Sequence, residues 1–129
     1  VMSDEWNPSK AIEKLSDYKE ELICDVLLDQ DLFSGVGNII KNEVLYRTRV
    51  NPNSIAGKIP AKKLKEIFEQ ARIYSFDFLK WKKAYELKKY WLVHTKKECS
   101  QCGKPLIKEY TGKKKRRSFY CTACQKLYV

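Results

Sequence analysis

The chain has 129 residues, 43% hydrophobic and 33% charged, and carries a net charge of +10. That length suits one modest domain, or a helical body with a small appendage, and the apolar share is enough for a core. No run reaches the roughly 18 to 20 continuous apolar residues of a membrane span, and the N-terminus lacks the basic-then-apolar layout of a secretory signal, so an intracellular protein with no membrane partner is expected.

The first residue is Val1, not a methionine, and we read the sequence as a piece of a longer protein. Asn7 and Pro8 offer an N-cap and a first helical position, and Ile12 and Leu15 give a short amphipathic helix ending near Ser16. Asp17 and Glu20 resemble a capping box, after which Tyr18, Leu22 and Val26, with Ile23 and Leu27, supply apolar pairs of a second helix that stops before Gly35. The pattern restarts at Asn38 with Ile40 and Val44, plus Ile39 and Leu45, and stops before Asn51-Pro52. A loop is expected from Asn51 to Ile59. Pro60 opens a long helix with Leu64, Ile67, Phe68 and Ala71 on one face, followed by Tyr74, Phe78 and Leu79, and with Lys62, Lys63, Lys65 and Glu66 off it. Trp81 to Trp91 reads as helix running into linker, and Trp91 to Thr95 as a short extended lead-in to the last unit. There, Pro105 to Tyr110 and Ser118 to Tyr120 are expected as strands joined by a loop from Thr111 to Arg117. The predicted class is mainly α: a helical domain over 1–92, then a zinc-ribbon β-hairpin over 93–129.

Three features carry chemistry. Cys99-x-x-Cys102 and Cys121-x-x-Cys124, separated by 18 residues, can set four thiolates around one tetrahedral ion, with no position left for water. That pattern fits structural zinc, and metal binding would fold a unit too small to bury its own core. An iron–sulfur cluster could use four cysteines, but the strands and the basic loop favour zinc. His94 precedes the first cysteine and reads as a packed or surface histidine rather than a ligand, and Cys24, in an apolar run, as a small packed thiol.

The second feature is charge placement. From Lys80 to Val129 there are 15 Lys and Arg against 3 Asp and Glu, a net of +12, whereas the preceding 79 residues carry a net of −2. Such asymmetry, with Lys113, Lys114, Lys115, Arg116 and Arg117 in one hairpin loop, suits a polyanion partner, because phosphate neutralisation releases counterions. The third is the turn Gly35-Val36-Gly37-Asn38 between two apolar helices. The glycines let backbone approach a phosphate closely, and Asn38 can cap the helix or donate its amide to that phosphate.

The run from Leu27 through Glu43 closely resembles the helix-two-turns-helix element of the formamidopyrimidine-DNA glycosylase and endonuclease VIII family of base-excision repair enzymes. The segments Cys99-Ser100-Gln101-Cys102-Gly103 and Arg116-Arg117-Ser118-Phe119-Tyr120-Cys121-Thr122-Ala123-Cys124-Gln125 resemble its C-terminal zinc finger. The resemblance, nearer the endonuclease VIII side, covers almost the whole chain in the family's order. It implies that Gly35, Gly37 and Asn38 hold backbone phosphates near a lesion in double-stranded DNA. It also implies that one arginine of the hairpin reaches in beside the damaged nucleotide. The Arg-x-x-Phe-Tyr-Cys spacing matches Arg116, and Arg117 is one residue away. Cys24 stands where some relatives carry a lysine, which puts one further phosphate contact in doubt.

The family's nucleophile, an N-terminal proline on a preceding β-sandwich domain, has no match here. The resemblance therefore implies a DNA-clamping part of a DNA glycosylase and abasic-site lyase, inactive by itself because that domain is missing; a monomer is expected. Two other classes stay open. A ribosomal or other RNA-binding protein can carry a helix-two-turns-helix element, and would prefer structured RNA. A zinc-dependent protein-interaction module would need an exposed apolar patch.

Overall fold

In the computed structural model, residues 19–28, 37–83, 91–113 and 115–129 are described. The helix expected over Asn7 to Ser16, Gly35, and most of the linker before Trp91 lie outside them. The described residues form three α-helices and a two-stranded antiparallel hairpin, a mainly helical fold as predicted. None of the helices is long and apolar enough to cross a membrane.

Helix α1 (Ile23–Leu28) is buried at every one of these residues. The capping-box pattern places its start near Asp17, but it begins at Ile23, because the residues before it pair across the chain instead. Leu22 bridges Ile55, and the Glu21 and Lys19 carbonyls accept the Ala56 and Gly57 N–H groups at 2.9 Å each. The Ile23 N–H, which has no partner inside a helix, donates to the Ser54 carbonyl at 2.8 Å.

Helix α2 (Asn38–Arg47) has Gly37 as its N-cap, in extended conformation and with no side-chain cap bond. The capping role read for Asn38 is thereby corrected, since Asn38 is the first helical residue. At the other end Arg49 sits in the left-handed region at φ 62°. The Arg49 N–H donates to the Tyr46 carbonyl and the Val50 N–H to the Leu45 carbonyl, which is the Schellman arrangement that normally recruits glycine.

A 3₁₀ turn (Ala56–Lys58) leads to helix α3 (Ala61–Lys83). Leu64, Ile67, Phe68, Ala71 and Tyr74 are buried as the periodicity predicts, but Leu79 is 45% exposed and leaves the core face. The main core joins α1, α2 and α3 through Ile23, Leu27, Val44, Leu45, Ile67 and Phe68.

The lead-in from Trp91 to Thr95 is not extended. It bends, and Thr95 has φ 59°. The cause lies in α2, where the Glu43 carboxylate accepts the N–H groups of Leu92, Val93 and His94 at 2.7–2.8 Å. Three consecutive N–H groups can converge on one carboxylate only if the chain curls, because a strand points them to alternate sides.

Strands β1 (Ile107–Thr111) and β2 (Arg116–Tyr120) pair Ile107 with Tyr120 and Thr111 with Arg116. The connecting loop is therefore shorter than expected, and Arg116 and Arg117 begin β2 rather than sitting at the tip. After the last cysteine the chain is sewn to the loop beyond α2. Lys126 N–H donates to the Arg49 carbonyl, Asn51 N–H to the Lys126 carbonyl and Ile55 N–H to the Tyr128 carbonyl, each at 2.8 Å.

Candidate nucleic-acid interface and metal centre

One carbonyl, that of Arg117, positions the arginine pair. It accepts the Asn38 side-chain amide at 2.9 Å, the Asn42 amide at 3.2 Å and the Lys41 ammonium at 3.3 Å. These donors project from one face of α2, since residues three and four apart on a helix are neighbours. Lys41 also donates to Ser118 Oγ at 2.7 Å, and Ser118 Oγ lies 2.6 Å from Thr111 Oγ1. Fixing the β2 backbone in this way leaves the Arg116 and Arg117 side chains exposed. No acidic side chain among the described residues makes a salt bridge to either.

Gly37, Asn38, Arg116 and Arg117 line a common cleft of about 360 Å³ together with Ile39, Ile40, Phe78 and His94. Four of the five DNA-contacting candidates thus come together from two distant stretches of sequence; the fifth, Gly35, is outside the described residues. An added Cβ on Gly37 would meet no atom of the described residues within 4 Å.

His94 stands between Trp91 and Phe119, edge-on to both at 4.9 and 5.2 Å. Burial, with the Lys41 and Arg117 cations nearby, pushes it down to about 4, so the ring is neutral near pH 7. The Asn42 amide nitrogen donates to the Arg117 carbonyl, an acceptor only, and this fixes the orientation of the amide. Its other N–H then meets His94 Nδ1 at 3.0 Å. Nδ1 must accept, and the ring proton resides on Nε2.

Lys41 is the second unusual group. Its side chain is fully buried, and burial pulls its amine down to about 8, with the Arg116 guanidinium acting in the same direction.

The four predicted cysteines also meet. Cys99, Cys102, Cys121 and Cys124 place their sulfurs within 4.8 Å of one another. Cys99 Sγ lies 3.7 Å from Cys124 Sγ and Cys102 Sγ 3.5 Å from Cys121 Sγ. Four sulfurs about 2.3 Å from a tetrahedral zinc stand about 3.8 Å apart, so the donor set fits such an ion. His94 is not among these ligands. Cys24, as expected, is a buried thiol, within 3.4 Å of Thr111 Oγ1.

Residues 2–74 match the formamidopyrimidine-DNA glycosylase H2TH domain. The chain belongs to the formamidopyrimidine-DNA glycosylase and endonuclease VIII family. Among curated family members it is 31% identical over 127 residues to endonuclease 8-like 3 of Xenopus laevis, and 31% identical over 128 residues to endonuclease 8-like 2 of Mus musculus. Those matches take in 98% and 97% of the chain but only 21% and 38% of the two relatives, so it spans well under half of either. The fold also superimposes on the MutM (Fpg) protein of Thermus thermophilus with a TM-score of 0.85 at 19% identity, over 99% of this chain and 53% of that one. Superposition on the Lactococcus lactis formamidopyrimidine-DNA glycosylase, solved with DNA containing an AP site, gives 0.83 at 23% identity, over 93% and 46%.

Within this family member the residues that sequence reasoning passed over are Lys41, Asn42 and Glu43, whereas His94 is the packed histidine that was expected. Polar residues in a helix read as its solvent face. A signal was nevertheless present for Lys41, which precedes Val44 and Leu45 by three and four positions and so shares their apolar stripe.

Proposed function

We propose that this chain grips the phosphate backbone of double-stranded DNA around a damaged nucleotide. It would act as the DNA-clamping part of a base-excision repair glycosylase and abasic-site lyase of the endonuclease VIII-like kind. The observation that carries this reading is the shared cleft of Gly37, Asn38, Arg116 and Arg117. Each of the four suits a phosphate in a different way. Gly37 offers backbone free of a side chain at a helix start, Asn38 an amide N–H beyond the one given to Arg117, and the arginines forked guanidinium donors. His94 adds a neutral Nε2–H at the same cleft. These groups read backbone rather than base edges, so affinity is expected to fall with salt and to depend little on sequence.

We infer further that the ion held by Cys99, Cys102, Cys121 and Cys124 is one structural zinc, which ties the knuckle before β1 to the end of β2 and so sets the direction in which the arginines point. Its contribution is rigidity, because four thiolates leave no open position for substrate. The DNA-bound state of the Lactococcus lactis neighbour and the endonuclease 8-like relatives support the repair reading, as does the basic C-terminal part.

The deciding experiment is fluorescence-anisotropy binding to a duplex with a stable abasic-site analogue, to undamaged duplex and to structured RNA, at two salt concentrations with zinc bound. Preference for the abasic duplex is expected, with a loss of about tenfold for Arg116→Ala, the size of one charge-assisted contact. Preference for RNA, or binding indifferent to salt and to Arg116→Ala, overturns the reading.

A further inference from the structure

Tyr46 lies on the last turn of α2, 4% exposed, and shares a second apolar cluster with Val93, Cys99, Phe119 and Cys121. A packing role alone would be served by phenylalanine. Its hydroxyl, however, lies 3.0 Å from Cys99 Sγ and 3.1 Å from Ser100 Oγ. Cys99 Sγ also accepts the Gln101 N–H at 3.4 Å. A metal-bound cysteine carries no proton, so the bond between Tyr46 and Cys99 then runs in one direction: the phenol donates to sulfur, and Ser100 Oγ is free to donate to the phenol oxygen.

We propose that Tyr46 is a positioning residue of the metal centre, whose hydroxyl donates to the Cys99 thiolate and fastens the ion to the C-terminal end of α2. This rests on the four cysteines holding a metal. The same helix carries Asn38 at its other end, about 12 Å away at 1.5 Å per residue. The bond therefore joins the metal to the helix that orients the arginine pair through the Arg117 carbonyl. Outer hydrogen bonds of this kind typically tune metal affinity by about ten- to a hundredfold.

The test is Tyr46→Phe, which keeps the ring and removes only the oxygen. Zinc release to a chelator should speed up about tenfold. In the cobalt-substituted protein the thiolate-to-metal charge-transfer band should move to longer wavelength, because a thiolate that loses a donor gives up its electron more easily. A side chain that merely packs would leave that band in place. Absence of a thiolate band in the wild-type protein defeats the metal reading itself. A wild-type band together with unchanged release and an unshifted band in Tyr46→Phe overturns the proposal alone. If Tyr46→Phe fails to fold, fluorotyrosine placed at position 46 decides with the ring and hydroxyl intact: a more acidic phenol donates more strongly, so slower zinc release and a band moved to shorter wavelength uphold the proposal, and wild-type release with an unmoved band overturns it.

Discussion

Lys41 has no access to solvent, yet both of its hydrogen-bond acceptors have other partners. The Arg117 carbonyl keeps Asn38 and Asn42, and Ser118 Oγ keeps Thr111. Removing the amine therefore strands neither acceptor, while the cost of burying an ammonium disappears. A displacement of its ionisation from 10.5 to about 8 corresponds to roughly 3 kcal/mol against the charged form, and the lost hydrogen bonds return most of that. Lys41→Met is expected to stabilise the protein by about 1 kcal/mol at pH 7 in denaturant unfolding. The folded value lies below the unfolded one, so the wild-type penalty is present below pH 8. It is relieved between pH 8 and 10.5, where only the unfolded chain still holds the proton. The advantage of Lys41→Met should accordingly shrink when unfolding is repeated near about pH 9.5. Destabilisation at both pH values would contradict this account. Little of this was legible beforehand, because a lysine is read as solvated until its helix is seen to be covered on every side.

Two glycines separate what an element needs from what its ligand needs. Gly112 has φ 73°, and an added Cβ would collide with the Asp25 carboxylate. The same carboxylate accepts the Lys113 N–H at 3.0 Å, and Glu21 holds the Lys113 ammonium at 2.8 Å. Gly112→Ala should therefore push the hairpin off α1 and cost about 2–3 kcal/mol in thermal or denaturant unfolding. Gly37 has negative φ, and an added Cβ would meet none of the described residues. Gly37→Ala should change stability by less than about 1 kcal/mol yet weaken DNA binding by about tenfold in the anisotropy titration, because the new methyl intrudes where a phosphate would sit. Equal losses in both assays for both variants would contradict the distinction. At this scale α3 was legible because its periodicity is strong, whereas the start of α1 and the curl after Trp91 were not. Each was decided by partners distant in sequence, the loop around Ser54 to Gly57 for α1 and Glu43 for the curl.

For the whole molecule, the division of labour between the two cores predicts the response to metal removal. The helical core of Ile23, Leu27, Val44, Ile67 and Phe68 contains none of the four clustered cysteines, whereas Cys99 and Cys121 belong to the second cluster with Tyr46 and Phe119. A strong chelator should therefore leave most of the helical circular dichroism intact while lowering the melting temperature and the affinity for abasic duplex, since a unit this small folds with its metal. Unaltered DNA affinity after chelation would show that the arginine pair is held by α2 alone.

By itself the sequence determined the mainly helical class, the two cysteine pairs that come together, the basic C-terminal part and the turn at which we propose a phosphate binds. These are written in local spacing, in composition and in the Cys-x-x-Cys pairs. Tertiary structure alone decided that Asn38, Lys41 and Asn42 converge on one carbonyl of a strand more than 70 residues away. It also decided that Glu43 curls the chain after Trp91, that His94 is held neutral with its proton on Nε2, and that Tyr46 touches Cys99. The physical reason is common to all four. A polar side chain has the same local signature whether it faces water or a buried partner, and only the packing of the remaining chain settles which it meets.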